Sequence, residues 1–300
     1  MPEVSIIIPT YNRADLVGRA IKSVLNQTFQ DFEIIMVNNY SKDNTLDIIS
    51  SFNDSRIKII DFQNNGVIAK SRNKGLMKST GKYIAFLDDD DAWEPGKLER
   101  NIGILKTSSN LVGAVYTGMI LLNYKEEVIK EIIPQYRGNI LNSLLIKNHI
   151  ESASAIILKK ECFERVGKFD ESENLGGGDD WDMWIRVSQC FEFEFNPELL
   201  VKIYFHGKNI TTNTDLNIQR HKAVTAKYKE YIGTRPKKVQ AAHYQHGGEV
   251  LWRNGSIKDG IQFFIKSIAV NPLILSNILY FIFRDMGFRL LNQIKKMKKV

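Results

Sequence analysis

The chain has 300 residues, 43% hydrophobic and 25% charged, which suits one large globular α/β domain or a domain with an appendage. No apolar run reaches the roughly 18 residues that a membrane-spanning helix needs. The chain enters strand-like sequence at once, without a signal region, so we expect a cytoplasmic protein. Its two cysteines, Cys162 and Cys190, argue against a disulfide framework and a zinc site.

The net charge of +7 would suit nucleic acid, anionic lipid or small anionic substrates. Much of it lies in the tail, because residues 284–300 contain six basic residues and a single acidic one, Asp285. No nucleic-acid-binding motif accompanies this tail, so we expect no nucleic-acid partner.

The first hundred residues alternate predicted strands with predicted helices. The predicted strands are Val4–Ile8, Phe32–Val37, Arg56–Ile60 and the run from Tyr83. The predicted helices are Arg13 to about Gln27, a segment capped by Asn44 that ends at Phe52, and Gly66–Ser79. This alternation indicates a parallel, doubly wound sheet, whose strand ends share one ligand-binding edge.

The apolar run from Tyr83 ends in four carboxylates, Asp88 to Asp91. Along an extended backbone Asp88 and Asp90 would face one way, and Asp89 and Asp91 the other. A hard cation would relieve their repulsion, and Mg²⁺ or Mn²⁺ is typically held by one or two carboxylates together with substrate phosphates. The pattern therefore favours a metal-bound nucleotide diphosphate. The alternative is a solvated acidic turn that caps a helix beginning at Trp93.

The residues after the acidic stretch are predicted to form a second half of the domain, with additional strands of the sheet. The predicted elements are strands Val112–Ile120 and Lys125–Ile132, helix Leu141–Ile146, strand Ser152–Leu158, helix Lys159–Val166, an amphipathic helix opened by Asp179 and Asp180, and the segment Phe191–Tyr204. From about Thr214 the pattern is helical, and Tyr244–Pro272 resembles one tetratricopeptide hairpin. We expect a domain over residues 1–212, with a nucleotide-sugar half (1–100) and an acceptor half (101–212), and a helical region over 213–300.

Several motifs in this order resemble family 2 glycosyltransferases of the GT-A fold. They are Ser5–Arg13, Ser23–Thr28, Asn65-Gly66 with Ser71–Gly75, the acidic tetrad, Phe169–Glu171 and Asp179–Arg186. The resemblance covers roughly residues 3 to 211. It implies a GT-A-type α/β fold and an inverting transfer of sugar from a nucleotide-diphosphate donor to a glycan or lipid-linked acceptor.

The resemblance also implies roles for individual residues. Asp88 and Asp90, with His206, would hold Mn²⁺ or Mg²⁺, and Asp180 would be the catalytic base. The donor or acceptor would contact Pro9, Thr10, Tyr11, Asn38, Asn39, Asn65, Gly66, Arg72, Asp89, Asp179, Trp181 and His206. Plainer readings stay open: Tyr11 and Trp181 could pack, Arg72 could be a solvated helix residue, Asp179 could begin its helix, and His206 could be structural.

One departure concerns the nucleotide base. The family usually has at least one Asp after the second strand, where this chain has Asn38-Asn39. A carboxylate only accepts hydrogen bonds, whereas Asn accepts and donates. The alternatives are therefore a weakened, relaxed or altered base preference, or a non-catalytic nucleotide-sugar-binding relative or subunit of a glycan-assembly complex. A nucleotidyltransferase would need a Gly-rich basic loop after the first strand, and a processive synthase would carry membrane spans. Neither feature is present.

The predicted last helix, Leu273–Lys299, places apolar residues ahead of the basic tail. An amphipathic basic helix can lie on an anionic membrane surface, so we expect contact with the inner face of the plasma membrane. The alternative is a buried terminal helix with a solvated tail. The helical region is also where contact with another copy would arise.

Overall fold

The structure is a computed structural model that describes residues 1–172, 175, 177–206 and 213–297, with side chains through residue 287. The described residues fall into two compact units. One is drawn from residues 1–144 and 148–212, and the other from residues 145–147 and 213–300.

The first four strands of the first unit are parallel and lie in the order β3-β2-β1-β4. The elements of this half are β1 Val4–Thr10, α1 Val17–Leu25, β2 Phe32–Asn38, α2 Thr45–Ser51, β3 Ile57–Asp61, α3 Ile68–Lys78 and β4 Tyr83–Phe86. β1, β2 and β4 are buried along their whole length, as their continuous apolar runs predict. In register, Thr10 lies opposite Asn38, and Asn38 lies opposite Asp61.

The second half of the sheet is mixed, and its strands continue in the order β8-β6-β9-β5, with β7 paired to β6. The elements are β5 Ala92–Trp93, α4 Lys97–Thr107, β6 Val112–Leu122, β7 Val128–Ile132, α5 Leu141–Ile146, β8 Ile156–Lys159, α6 Lys160–Val166, α7 Asp179–Ser188 and β9 Glu192–Tyr204. β8 runs antiparallel to both β4 and β6, and so joins the two halves into one sheet.

Three of the predicted boundaries are wrong in ways that affect the site. α1 begins at Val17 rather than Arg13, because Asn12 has a φ of 50° and the loop after it is held by Ser41 and Asp43. Trp93 lies in β5, and α4 begins only at Lys97. The predicted strand Ser152–Leu158 begins with a 3-10 turn, Ala153–Ala155, whose start is capped by the Ser152 hydroxyl.

The second unit is helical. It contains α8 Thr214–Lys227, α9 Lys229–Gly233, α10 Lys237–Arg253, α11 Ile257–Val270, a 3-10 turn Pro272–Ile274 and α12 Leu275–Met297. α10 and α11 approach closely at glycines, since a Cβ on Gly247 or Gly248 would meet the ring of Phe263 or Phe264 at 2.6–2.7 Å. None of the described helices combines the length and hydrophobicity needed to cross a membrane.

Candidate active site

The four acids after β4 form a tight turn rather than an extended segment. The Asp91 amide donates to the Asp88 carbonyl at 3.0 Å, with Asp89 and Asp90 at the corner. The expected alternation of two faces is therefore wrong, because each carboxylate has a different neighbour. Asp88 contacts Arg72, Asp89 lies near Arg13, Asp90 contacts His206, and Asp91 accepts from Ser154.

Ser154 holds the turn at both ends. Its Oγ accepts from the Asp88 amide at 3.0 Å and donates to Asp91 Oδ2 at 2.6 Å. Burial raises the pKa of Asp91 well above its ordinary value, and the charges of Asp88 and Asp90 add to that rise. Asp91 is therefore a buried structural group that closes the turn.

Arg72 bridges the acid turn and the start of α7. Its Nη1 donates to Asp179 at 2.7 Å and its Nη2 to Asp88 at 3.1 Å. The side chain is only 7% exposed. Burial opposes its charge, but Asp179, Asp88 and Asp180 more than offset burial and raise the pKa of Arg72 above its ordinary value. The solvated-helix reading of Arg72 is therefore wrong.

Asp179 and Asp180 occupy the first turn of α7. Asp179 is the first residue of α7, as one reading of the sequence expected, but it does not cap the helix: the N-cap is Gly178, and the Asp179 carboxylate pairs with Arg72. Asp180 accepts from the Trp181 amide at 2.6 Å, and Asn148 Nδ2 lies 3.4 Å from its second oxygen. Asp180 remains partly exposed. Because Arg72 pairs with both Asp179 and Asp88, the start of α7 lies next to the acid turn.

Asp89 and Asp90 face the loop after β1 and the end of β9. Burial raises the pKa of Asp89 to about 7, and the Asp90 charge adds to the rise, while the Thr10 hydroxyl and Arg13 oppose it. Asp90 Oδ2 lies 2.9 Å from His206 Nε2, and its carbonyl accepts from Arg19 at 2.7 Å. His206 thus lies beside Asp90, one of the two acids with which it is expected to hold the cation.

The residues expected around the nucleotide line the neighbouring strand ends. Pro9 and Thr10 are buried in β1, whereas Tyr11 is 48% exposed. Asn38 is fully buried, and Asn39 accepts from the Asn64 amide at 3.0 Å. Asn65 and Gly66 both have positive φ, and the Gly66 amide donates to Asn64. These loops lie at one edge of the sheet, as its parallel order requires.

Trp181 is buried, and its indole donates to the Leu144 carbonyl at 2.6 Å. This contact agrees with the packing reading of Trp181, and its role toward an acceptor stays a prediction.

Some residues of this region were not predicted. Ser154 and Asn148 lie in segments that read as plain strand or loop. Asn73 exchanges hydrogen bonds with the Phe169 backbone and so fixes α3 to the segment before α7. The sequence did contain one signal for Ser154, which is a small polar residue within an apolar run. A buried hydroxyl needs hydrogen-bond partners, so such a residue indicates a contact with another polar group.

The acid turn offers two carboxylates to a divalent cation but not a complete set of protein ligands. Within the described residues, no group of three or more His, Cys, Asp or Glu side chains is arranged to hold a metal ion. Burial raises the pKa of Asp88; Arg72 opposes the rise, and the negative charge of Asp90 adds to it. A carboxylate whose charge is disfavoured by a neighbouring carboxylate matches the type of site in which a cation and diphosphate oxygens complete the coordination. Asp88 and Asp90 fit that type.

Comparison with known proteins places the chain in a family. The model of glycosyl transferase family 2 matches residues 5–167. An uncharacterized glycosyltransferase of Rickettsia prowazekii is 34% identical over 226 residues, which cover 72% of this chain and 68% of that protein. The Escherichia coli UDP-Glc:alpha-D-GlcNAc-diphosphoundecaprenol beta-1,3-glucosyltransferase WfgD is 36% identical over 145 residues, 48% of this chain and 55% of its own.

The fold has a counterpart among solved structures. The mannosyltransferase PcManGT from Pyrobaculum calidifontis, in complex with GDP-Man and Mn²⁺, superposes with a TM-score of 0.61 over 96% of this chain and 81% of its own, at 16% identity. This likeness confirms the expected GT-A-type α/β fold. With the family match, it leads to one conclusion: the chain is a glycosyltransferase of family 2.

Proposed function

We propose that the chain transfers a sugar, with inversion, from a nucleotide-diphosphate donor to a hydroxyl of a glycan or lipid-linked acceptor, in a reaction that depends on Mn²⁺ or Mg²⁺. The observation that carries this proposal is the Arg72 bridge between Asp88 and Asp179. It brings a partly exposed carboxylate, Asp180, close to the acid turn that would receive the donor diphosphate.

Each charged group then has a distinct task. Asp180 takes the proton of the acceptor hydroxyl as that oxygen attacks the anomeric carbon. Asp88 and Asp90, with His206 beside them, would hold the cation, which supplies positive charge to the departing diphosphate. Arg72 keeps the two regions in fixed relation. Thr10, Tyr11, Asn39, Asn65 and Gly66 surround the nucleoside end of the donor.

The relatives support the substrate classes. WfgD is named for a UDP-sugar donor and a diphosphoundecaprenol acceptor, and PcManGT is in complex with GDP-Man and Mn²⁺. Both names combine a sugar with a nucleoside diphosphate. We extend that donor class to this chain, together with a lipid-linked or glycan acceptor.

The test compares Asp180→Asn with the parent. The variant keeps the size and hydrogen-bonding reach of the side chain but loses its basicity, so transfer should fall by about 10²-fold or more while donor binding is kept. Transfer from UDP- and GDP-sugars is measured with Mn²⁺ and with EDTA, donor binding by calorimetry, and the product anomer by NMR. Transfer by Asp180→Asn at the parent rate, or a retained anomeric configuration, would contradict the proposal. A parent that binds donor but transfers to no acceptor would favour the binding-module alternative.

We further propose that the second unit rests on an anionic membrane surface through α12. Tyr280 is 67% exposed and Phe283 is 70% exposed, with Leu279 and Met286 also exposed at helical spacing. The basic residues of the tail follow directly in sequence, although Lys298 and Lys299 lie outside the described residues. An exposed apolar stripe next to a basic tail complements a surface of anionic lipid headgroups. Residues 213–300 would thus form a separate membrane-facing region, following the transferase domain of residues 1–212.

A further inference from the structure

We propose that Asp61, at the end of β3, reads the base of the nucleotide donor and selects bases that carry a ring N–H. This inference rests on the proposed donor class. Uracil, thymine and guanine have such an N–H next to a carbonyl, whereas cytosine and adenine present an unprotonated ring nitrogen at the corresponding position. An ionised carboxylate accepts hydrogen bonds only, so it distinguishes the two groups of bases.

The sheet places Asp61 at the correct end of the site. Thr10, Asn38 and Asp61 lie opposite one another in register at the carboxyl ends of β1, β2 and β3. In the order β3-β2-β1-β4, the acid turn follows β4, three strand spacings from β3, or about 14 Å. A nucleoside diphosphate whose phosphates lie at the acid turn therefore extends across β1 and β2 toward β3. Tyr11 is exposed along this path.

Asn38 positions the Asp61 carboxylate. The Ser41 amide, which can only donate, contacts Asn38 Oδ1 at 3.1 Å, and the Ser41 hydroxyl contacts the same oxygen at 2.6 Å. The orientation of the Asn38 amide is therefore fixed, and its Nδ2 donates to Asp61 Oδ1 at 2.6 Å. Asn38 is fully buried, whereas Asp61 is exposed. Asp61 Oδ2 accepts no hydrogen bond from the part of the chain that the structure describes, and it is available to a ligand.

Asn39 supplies a matching donor. Its Oδ1 accepts from the Asn64 amide at 3.0 Å, which again fixes the orientation of the side-chain amide. Its Nδ2 makes no hydrogen bond to another described residue, so it is available to a carbonyl of the base. An acceptor at the end of β3 and a donor just after β2 suit the neighbouring N–H and C=O of uracil, thymine and guanine. The acid that family 2 usually places after the second strand is thus replaced here by an acid one strand further along the sheet.

The test measures which nucleoside diphosphates bind. UDP, GDP, CDP and ADP are titrated with Mn²⁺ into the parent, Asp61→Asn and Asp31→Asn, an exposed control carboxylate at the opposite end of β2. The parent should bind UDP or GDP at least about tenfold more tightly than CDP and ADP, as expected for one charge-assisted hydrogen bond. Asp61→Asn should lose most of that preference, and Asp31→Asn should keep it.

A double variant distinguishes a loss of base recognition from a disturbance of the local structure by the Asp61→Asn substitution. Asn38→Asp combined with Asp61→Asn exchanges the carboxylate and the amide between β2 and β3, and should recover part of the preference that Asp61→Asn loses. A parent that prefers CDP or ADP, or an Asp61→Asn variant with the parent's preference, overturns this inference alone. A parent that binds none of the four diphosphates with Mn²⁺ overturns the proposed function and this inference with it.

Discussion

Arg72 donates to Asp179 at 2.7 Å, although 107 positions of the sequence separate the two residues. Both side chains are nearly buried, at 7% and 8% exposure. Loss of Asp179 leaves the buried Arg72 guanidinium with Asp88 as its one remaining ion-pair partner among the described residues, which costs more than the loss of a surface pair.

Asp179→Asn should therefore destabilise the fold by about 3 kcal/mol. Denaturant unfolding of the variant and the parent measures this loss. The matched control is Glu198→Gln, which breaks the exposed pair with Arg100 and should cost no more than about 1 kcal/mol. Equal effects of the two substitutions would show that the Arg72 bridge does not stabilise the fold.

Asp90→Asn should remove the metal-dependent part of nucleotide binding. The substitution keeps the size of the side chain but leaves Asp88 alone of the two carboxylates proposed to hold the cation. Calorimetry of UDP and GDP, each with and without Mn²⁺, measures the dependence. Asp47→Asn, an exposed carboxylate on α2, is the control and should leave it intact. Full Mn²⁺ dependence in Asp90→Asn would exclude Asp90 as a ligand.

We expect the buried Lys97 to make the free energy of unfolding rise as the pH is raised above 7. It is fully buried, its ammonium lies 4.2 Å from the centre of the Trp93 ring, and its Nζ has no hydrogen-bond partner among the described residues. Burial lowers the pKa of Lys97 to about 7, from 10.5. Between these values the unfolded chain binds a proton that the folded chain lacks. Lys97 therefore destabilises the fold most at and below pH 7, and this cost disappears as the pH rises toward 10.5.

Lys97→Met should raise the free energy of unfolding at pH 7 by about 1 to 3 kcal/mol, because it replaces an unpaired buried amine with an apolar chain of similar length. The gain should shrink between pH 7 and pH 9.5, as followed by thermal unfolding. Lys106→Met, on the exposed face of the same helix, should have little effect. A destabilised Lys97→Met at pH 7 would mean that the amine has a stabilising partner.

If α12 rests on the membrane as proposed, removing its two exposed aromatic side chains should weaken binding to anionic vesicles. Tyr280→Ser with Phe283→Ser should weaken binding to phosphatidylglycerol vesicles by about tenfold or more, since each ring contributes roughly 1.5–3 kcal/mol when buried in lipid. Leu111→Ser, also a strongly exposed apolar residue, is the control and should change nothing. Vesicle sedimentation at low and high salt measures the effect. Unchanged vesicle binding, with a changed oligomeric state on gel filtration, would instead make α12 a subunit interface.

The sequence predicted the parallel half of the fold well. Buried parallel strands such as β1 and β2 are continuous apolar runs, which can be recognised directly in the sequence. Helix starts were less accurate, because α1 and α4 begin after loops held by distant side chains. Local patterns do not contain those contacts.

Motifs allowed candidate site residues to be proposed, but not the contacts that those residues make. The acid turn reads as an extended continuation of β4 until Ser154, 66 positions away, is known to join Asp88 to Asp91. Likewise, Asp61 looks like an ordinary polar residue after a strand, and no local pattern pairs it with Asn38. Only the register of β2 with β3 makes them neighbours, and a single sequence does not contain that information.

Ser154 also has a consequence for how the protein folds. It belongs to the segment before β8, so the acid turn gains its two hydroxyl contacts only when the chain beyond residue 150 has docked beside β4. Contacts between residues so far apart must overcome the entropy of closing a long loop, and they form late. A ribosome-bound chain that has emerged only through the four parallel strands therefore carries the acids but lacks the contacts that shape their turn. Nucleotide affinity would then develop late in synthesis.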